Sequence, residues 1–235
     1  GAFSGGGKTY YEVQLNASGS QTLSGANTFT NLKRTGGSST SAALSLAANQ
    51  TVTGTLTLTG ASRRYQLLVA SDTLGTQRTI TAASVSVSNV DFQDIKGAGA
   101  ANWNFSSRDD IGDCGGNSGI TFPASKNRYW VGNGGNWYDT ARWSASSGGA
   151  SGASVPLPQD DVYINASSIT STGQTIQANI ARLGMNINFT GVLYNPTLNF
   201  AVANSIFGSL TLSSGMTISG TSTTTFQGRG SYTLA

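Results

Sequence analysis

The chain has 235 residues, 37% hydrophobic and only 10% charged, with 13 Lys and Arg against 10 Asp and Glu for a net charge of +3. It has no histidine and a single cysteine, Cys114, which excludes Ser-His-Asp and Cys-His catalysis, His-ligated zinc and any disulfide within the chain. Arg63-Arg64 and Lys33-Arg34 are the only adjacent basic pairs, and no basic stripe is interleaved with aromatic residues, so nucleic-acid binding is not expected.

Glu12 is the only glutamate and there are two methionines, whereas Thr, Ser, Val and Gly abound. That balance favours strands and turns over helices. Near the start, "GGGK" at 5–8 resembles half a phosphate loop but lacks the spacing and the strand-to-helix context. Strand-length stretches with an apolar residue at every second position follow. They are "YYEVQL" (10–15), "ALSLAANQTVTGTLTLTG" (43–60, two strands about a turn), "YQLLVAS" (65–71) and "RTITAASVSVSNVDFQDIKG" (78–97, two or three strands). After "SGITF" (118–122) come "DVYINAS" (161–167), "QTIQANIARLGMNINF" (174–189), "PTLNFAV" (196–202), "SLTLSSGMTISG" (209–220) and "SYTL" (231–234). No amphipathic helix and no transmembrane run stands out.

"LTLTG" at 56–60 returns as "LTLSSG" at 210–215, within a loose repeat on the order of 20–30 residues, the range of solenoids. The expected fold is all-β: a right-handed parallel β-helix whose coils stack inward Val, Leu, Ile and Phe. Val85, Val87, Val90, Phe92 and Ile95 are expected to point inward around a turn at Asn89. A β-sandwich or jelly roll fits the same alternation. Three segments are expected: a solenoid over 1–122, a Trp/Gly/Pro-rich seam or insertion over 123–159, and a second solenoid over 160–235. The sequence opens on glycine and ends mid-pattern at "GRGSYTLA", so it reads as part of a longer protein with no signal peptide in view.

"TLSGANTFTNL" (22–32), "VSVSNVDFQDI" (85–95), "GDCGGNSGITF" (112–122) and above all "WVGNGGNWYDTARWSASSGG…PLPQDDVYINAS" (130–167) resemble β-solenoid segments of tailed-bacteriophage virion proteins. Such segments occur in tail fibres, tailspikes and head or tail appendages, and similar ones in repeat-bearing bacterial surface proteins. The resemblance implies a homotrimer assembled with other virion proteins, exposed on the particle or, alternatively, on a bacterial cell surface. Family members bind host polysaccharide, cleave it with carboxylate pairs, or are purely structural. The expected function is therefore a virion structural component that can also bind host-surface glycans, with a polysaccharide depolymerase or a secreted adhesin as alternatives.

The candidate site residues are few. Asp109, Asp110 and Asp113 in "SRDDIGDCGGN" are the candidate catalytic carboxylates of a glycoside hydrolase or lyase; they also fit a Ca²⁺ site or an Asp-bonded turn. Asp91 and Asp94 read as a solvated edge or ladder, and Asp160-Asp161 as the start of a strand with Asp160 capping the turn. Trp130, Trp137, Trp143 and Tyr138, with Tyr129 beside them, form a glycan platform if exposed, or a small satellite core if folded inward. Cys114 reads as a buried thiol. The sequons at Asn16, Asn49 and Asn165 carry no meaning in a phage protein. No residue pattern requires a cofactor or a metal.

Overall fold

The computed structural model describes Gly1–Ala235. It is all-β, with one turn of 3-10 helix, Thr140–Arg142, as its only helical element. No helix is long and apolar enough to cross a membrane. The chain divides into two compact units, Gly1–Ala124 and Ser125–Ala235. Each is a parallel β-solenoid. A jelly roll or sandwich requires antiparallel sheets, and all strand pairs but one are parallel.

In the first unit, strands alternate between two sheets. One stacks β1 (Ala2–Ser4), β3 (Gln21–Ser24), β5 (Ala42–Leu46), β7 (Leu67–Ser71), β9 (Val90–Gln93) and β11 (Ile111–Asp113) in that order. The other stacks β2 (Thr9–Leu15), β4 (Thr28–Thr35), β6 (Gln50–Thr59), β8 (Arg78–Ser88) and β10 (Ile95–Ala98). Each coil thus adds one strand to each sheet. The register makes columns of like side chains: Ala42, Leu67, Val90 and Ile111 form one, and Leu44, Val69 and Phe92 another. All seven are buried. The second sheet contributes Phe29, Val52 and Ala82, then Leu32, Leu56 and Val85. Thr and Ser occupy the alternate, wetter positions, as a strand's period of two requires.

Within this unit the register shifts at one place. Phe29 to Leu32 in β4 and Ala82 to Val85 in β8 span three residues, whereas Val52 to Leu56 in β6 spans four. β6 therefore carries a bulge relative to both neighbours. Gly54 lies in it, and a Cβ there would sit 2.7 Å from the Thr30 carbonyl oxygen.

The second unit has three narrower sheets. β12 (Asn127–Trp130), β13 (Gly135–Asn136) and β14 (Trp143–Ser144) open it, with β12 and β14 forming the one antiparallel pair. Then come β15 (Asp161–Tyr163), β16 (Thr175–Gln177), β17 (Arg182–Gly184) and β18 (Ile187–Asn188). β19 (Thr197–Asn199), β20 (Asn204–Ile206), β21 (Leu210–Thr211), β22 (Thr217–Ser219) and β23 (Thr224–Phe226) complete it. The sheets run β14-β12-β15-β18-β21, β13-β16-β19-β22 and β17-β20-β23. Val162, Ile187 and Leu210 form one inward column, and Ile176 and Leu198 another, continued in register by the exposed Ile218.

An expected boundary and an expected strand are corrected. The Trp-rich stretch is not a separate seam: its strands pair with β15 and β16, and its rings share the core of the second unit. "SGITF" is no strand; it makes only the isolated bridges Lys96↔Ser118 and Asn104↔Thr121. Phe92→Ala, which removes a buried ring packed against Trp103, Phe105 and Phe122, is expected to cost about 3–5 kcal/mol, seen as a lower urea midpoint. Thr57→Ser on the outer face should change stability by less than about 0.5 kcal/mol.

Candidate functional site

The Trp-rich stretch folds as a closed aromatic cluster. Trp130 ends β12, Trp137 follows β13, and Trp143 starts β14 behind the 3-10 turn. Asp139 caps that turn by accepting from the Ala141 N–H at 2.9 Å. Trp143 meets Trp130 and Trp137 edge to face, at 5.0 Å between ring centroids in each case, the geometry that ring quadrupoles favour. Each indole N–H donates to a backbone carbonyl: Trp130 to Asn133 at 2.5 Å, Trp137 to Leu183 at 3.2 Å, Trp143 to Trp137 at 2.7 Å. All three rings are 0% exposed.

The glycan-platform assignment of Trp130, Trp137 and Trp143 is therefore corrected. A sugar needs an exposed ring face, and these faces are covered by one another and by the core. Tyr138 is half-buried and packs against the same core, so it belongs to the cluster's rim. The tight "GNGGN" loop serves the cluster: Gly134 N–H donates to Gln174 Oε1 at 2.9 Å, and Asn133 Oδ1 accepts from Thr170 N–H at 2.7 Å. Both bonds tie the loop to the next coil.

The three candidate carboxylates have different roles. Asp109 is exposed. Asp110 is gripped by Arg108 through Nε at 2.8 Å and Nη2 at 2.7 Å, and accepts the Asn89 N–H at 2.8 Å. Burial pushes the Asp110 carboxyl up, but the Arg108 pair and the Asn89 N–H outweigh it and hold the group below the usual carboxylate range. That is the opposite of what a general acid requires. Asp113 accepts from Gly115 N–H at 2.8 Å and from Asn117 Nδ2 at 2.7 Å. Asp110 and Asp113 thus each hold a corner of the chain through backbone N–H groups. No group of three His, Cys, Asp or Glu side chains is placed to hold a metal ion.

Asp91 and Asp94, expected at a solvated edge, are both buried. Asp94 sits at a left-handed corner with φ 57 and accepts the Gly75 N–H at 3.0 Å. Asp160 caps its turn as the spacing suggests: it accepts from Leu157 N–H at 2.9 Å and from Lys126 N–H at 2.8 Å. Burial is the main influence on the Asp160 carboxyl and raises its pKa; those two N–H groups and the charges of Arg128 and Lys126 pull the other way.

Three arginines, Arg34, Arg128 and Arg182, are buried in a way the sequence pattern does not signal. Arg34 stands in the column of Leu15, Leu58 and Val87. Its guanidinium donates to the carbonyls of Leu15 at 3.1 Å, Ala17 at 2.7 Å, Thr35 at 2.5 Å and Gly19 at 2.6 Å, so it fastens the 15–19 turn. Arg128 heads the column of Val162 and Ile187 and donates to the Ser154 carbonyl at 2.9 Å and hydroxyl at 2.7 Å. Only the identity of the neighbours in the column reveals such a role, and a single sequence does not state it.

A cavity of about 240 Å³ lies against β21, β22 and β23, lined by Phe200, Leu210, Leu212, Ile218, Phe226 and Leu234 among others. It presents no titratable group. The chain matches no protein-family model, no curated protein and no solved structure.

The two shifted carboxyls have opposite linkage to folding. Asp110 is lowered from 3.8, so its contribution is present above that value and is lost as pH falls through its folded pKa. Asp160 is raised from 3.8, so its contribution is full below that value and declines as pH rises through its folded pKa. Asp110→Asn is expected to cost about 2 kcal/mol at neutral pH and to flatten the acid limb of a melting-temperature profile. Asp160→Asn is expected to flatten the decline on the other side.

Proposed function

We propose that this chain is a structural, non-enzymatic segment of a tailed-bacteriophage virion appendage: a tail fibre, a tailspike or a head or tail appendage. The observation that carries the reading is the fate of the reactive-looking residues. The tryptophans close a core, Asp110, Asp113 and Asp160 bind corner N–H groups, and the cavity is apolar. What remains outside is a Thr/Ser-rich, charge-poor surface on stacked coils. Such a solenoid is stiff because each coil is fixed by its neighbours. The resemblance of the Trp-rich stretch to virion solenoids supplies the location and the homotrimeric assembly.

Immunogold labelling of particles from the source sample tests this reading. Label on a phage appendage, with no release of reducing ends from capsular polysaccharide by the purified chain, is the expected result. Label on bacterial surfaces alone would replace it with a secreted adhesin, and released reducing ends would replace it with a depolymerase.

A further inference from the structure

The corner between β12 and β13 holds the only Asn-Gly pair in the sequence, Asn133-Gly134. The fold asks for both residues. Asn133 has φ 69, in the left-handed region that Asn tolerates better than most side chains. A Cβ on Gly134 would sit 2.7 Å from the Thr175 carbonyl oxygen, so no side chain fits against the next coil. The same pair is chemically labile. Asn is among the thermolabile residues, and a following glycine puts no Cβ in the way of its own backbone nitrogen. That nitrogen, once it loses its proton to hydroxide, can attack the Asn133 Cγ. A C–N bond forms, the side-chain nitrogen leaves as ammonia with a proton drawn from water, and a succinimide ring remains. Water then adds to one of the two ring carbonyls and breaks that carbonyl's bond to the Gly134 nitrogen, giving aspartate or isoaspartate.

In the folded chain the next coil holds both reacting groups. Gly134 N–H donates to Gln174 Oε1 at 2.9 Å. Gln174 is itself placed: its Nε2 donates to Ser171 Oγ at 2.9 Å, and its carbonyl accepts the Thr197 N–H at 2.9 Å. Thr170 donates to Asn133 Oδ1 through its N–H at 2.7 Å and its hydroxyl at 3.0 Å. The Thr170 bonds fix the side-chain amide, but they also polarise its carbonyl, which favours attack. The restraint therefore rests on the nitrogen. A Gly134 nitrogen that lost its proton would face the lone pairs of the Gln174 oxygen, so that bond opposes ionisation. Asn133 and Gly134 are only half-buried, so water and hydroxide reach the corner.

The corner also carries the aromatic cluster. The Asn133 carbonyl accepts the Trp130 indole N–H at 2.5 Å, and the Asn133 N–H donates to the Ser168 carbonyl at 3.1 Å. Isoaspartate inserts a methylene into the backbone at this point and displaces that carbonyl. The Trp130 N–H, on a fully buried ring, then loses its partner. We propose that Asn133-Gly134 is a latent deamidation site, kept unreactive by Gln174 of the following coil and released when that contact opens. Reaction marks an opened chain irreversibly, because the altered corner no longer seats Trp130. The site goes beyond the structural role above and stands or falls separately from where the chain is located.

Peptide mapping by mass spectrometry tests it on the full chain held in mildly alkaline buffer, at a temperature where circular dichroism shows each variant folded. Wild type should keep the Asn133 amide, and the same chain unfolded in guanidinium chloride should lose it roughly tenfold faster or more. Folded Gln174→Ala should also lose it roughly tenfold faster than wild type. Gln174→Glu keeps an acceptor for the Gly134 N–H and should stay as slow as wild type. Folded wild type losing the amide as fast as the unfolded chain, Gln174→Ala as slow as wild type, or Gln174→Glu as fast as Gln174→Ala overturns the proposal. The comparison of folded with unfolded wild type needs no variant, so it decides the matter even where Gln174→Ala does not fold.

Discussion

A coil of this chain cannot satisfy itself. Its strands are parallel, so the backbone N–H and C=O groups of each strand can be paired only by the coil on either side, and its inward side chains are buried only when another coil lies over them. The strands are straightforward: columns such as Leu44, Val69 and Phe92 repeat at the spacing of neighbouring strands, about 4.7–4.9 Å. The corners are harder, because there the backbone turns away from the ladder and its groups would be left buried and unpaired. Side chains from the adjoining coil fill that need. Asp110 takes the Asn89 N–H, Asn117 the Ile95 N–H at 2.8 Å, and Asn186 the Ser209 N–H at 2.9 Å.

This constraint explains the composition. Asn, Asp and Gln are useful at corners because one short side chain accepts from the backbone of a neighbouring coil. Asn27 and Gln50 show the motif in full: Asn27 Nδ2 donates to Gln50 Oε1 at 3.1 Å, and the Gln50 amide donates onward to the Gly25 and Ala48 carbonyls, both at 2.9 Å. Charge has little part in such a design. The buried Arg34 guanidinium is met by four carbonyls at once. An ion buried with fewer partners would face a desolvation penalty of several kcal/mol.

Much of this was legible in the sequence, for identifiable reasons. Alternation in "VSVSNVDFQDI" places Val87, Val90, Phe92 and Ile95 inside and Asn89 at the turn, and the structure has Asn89 at φ 51 with those four residues buried. Val85 is only half-buried, because the break beside the β6 bulge lies just before it. What stayed hidden depends on neighbours distant in sequence. Asp91 alternates like a wet residue yet is buried between Leu68 and Gly112 of the adjoining strands. Arg34 lies in an apolar column because the 15–19 turn brings its carbonyls there. The tryptophan spacing is compatible with both a platform and a core, and only the packing of Trp143 against Trp130 and Trp137 decides for core.

Native-state amide hydrogen exchange of the full chain tests the central claim most directly, because it reads each inter-coil bond separately. The amides of Asn89 and Ser209 sit at corners and that of Ile95 opens β10, and each donates to a side chain of the adjoining coil. The account expects them to exchange as slowly as the ladder amides of β7 and β9, and expects Asp110→Ala to release Asn89 selectively. Fast exchange at all three amides in the wild-type chain, alongside slow exchange in the strands, would contradict it: the coils would then be held by their ladders and core alone.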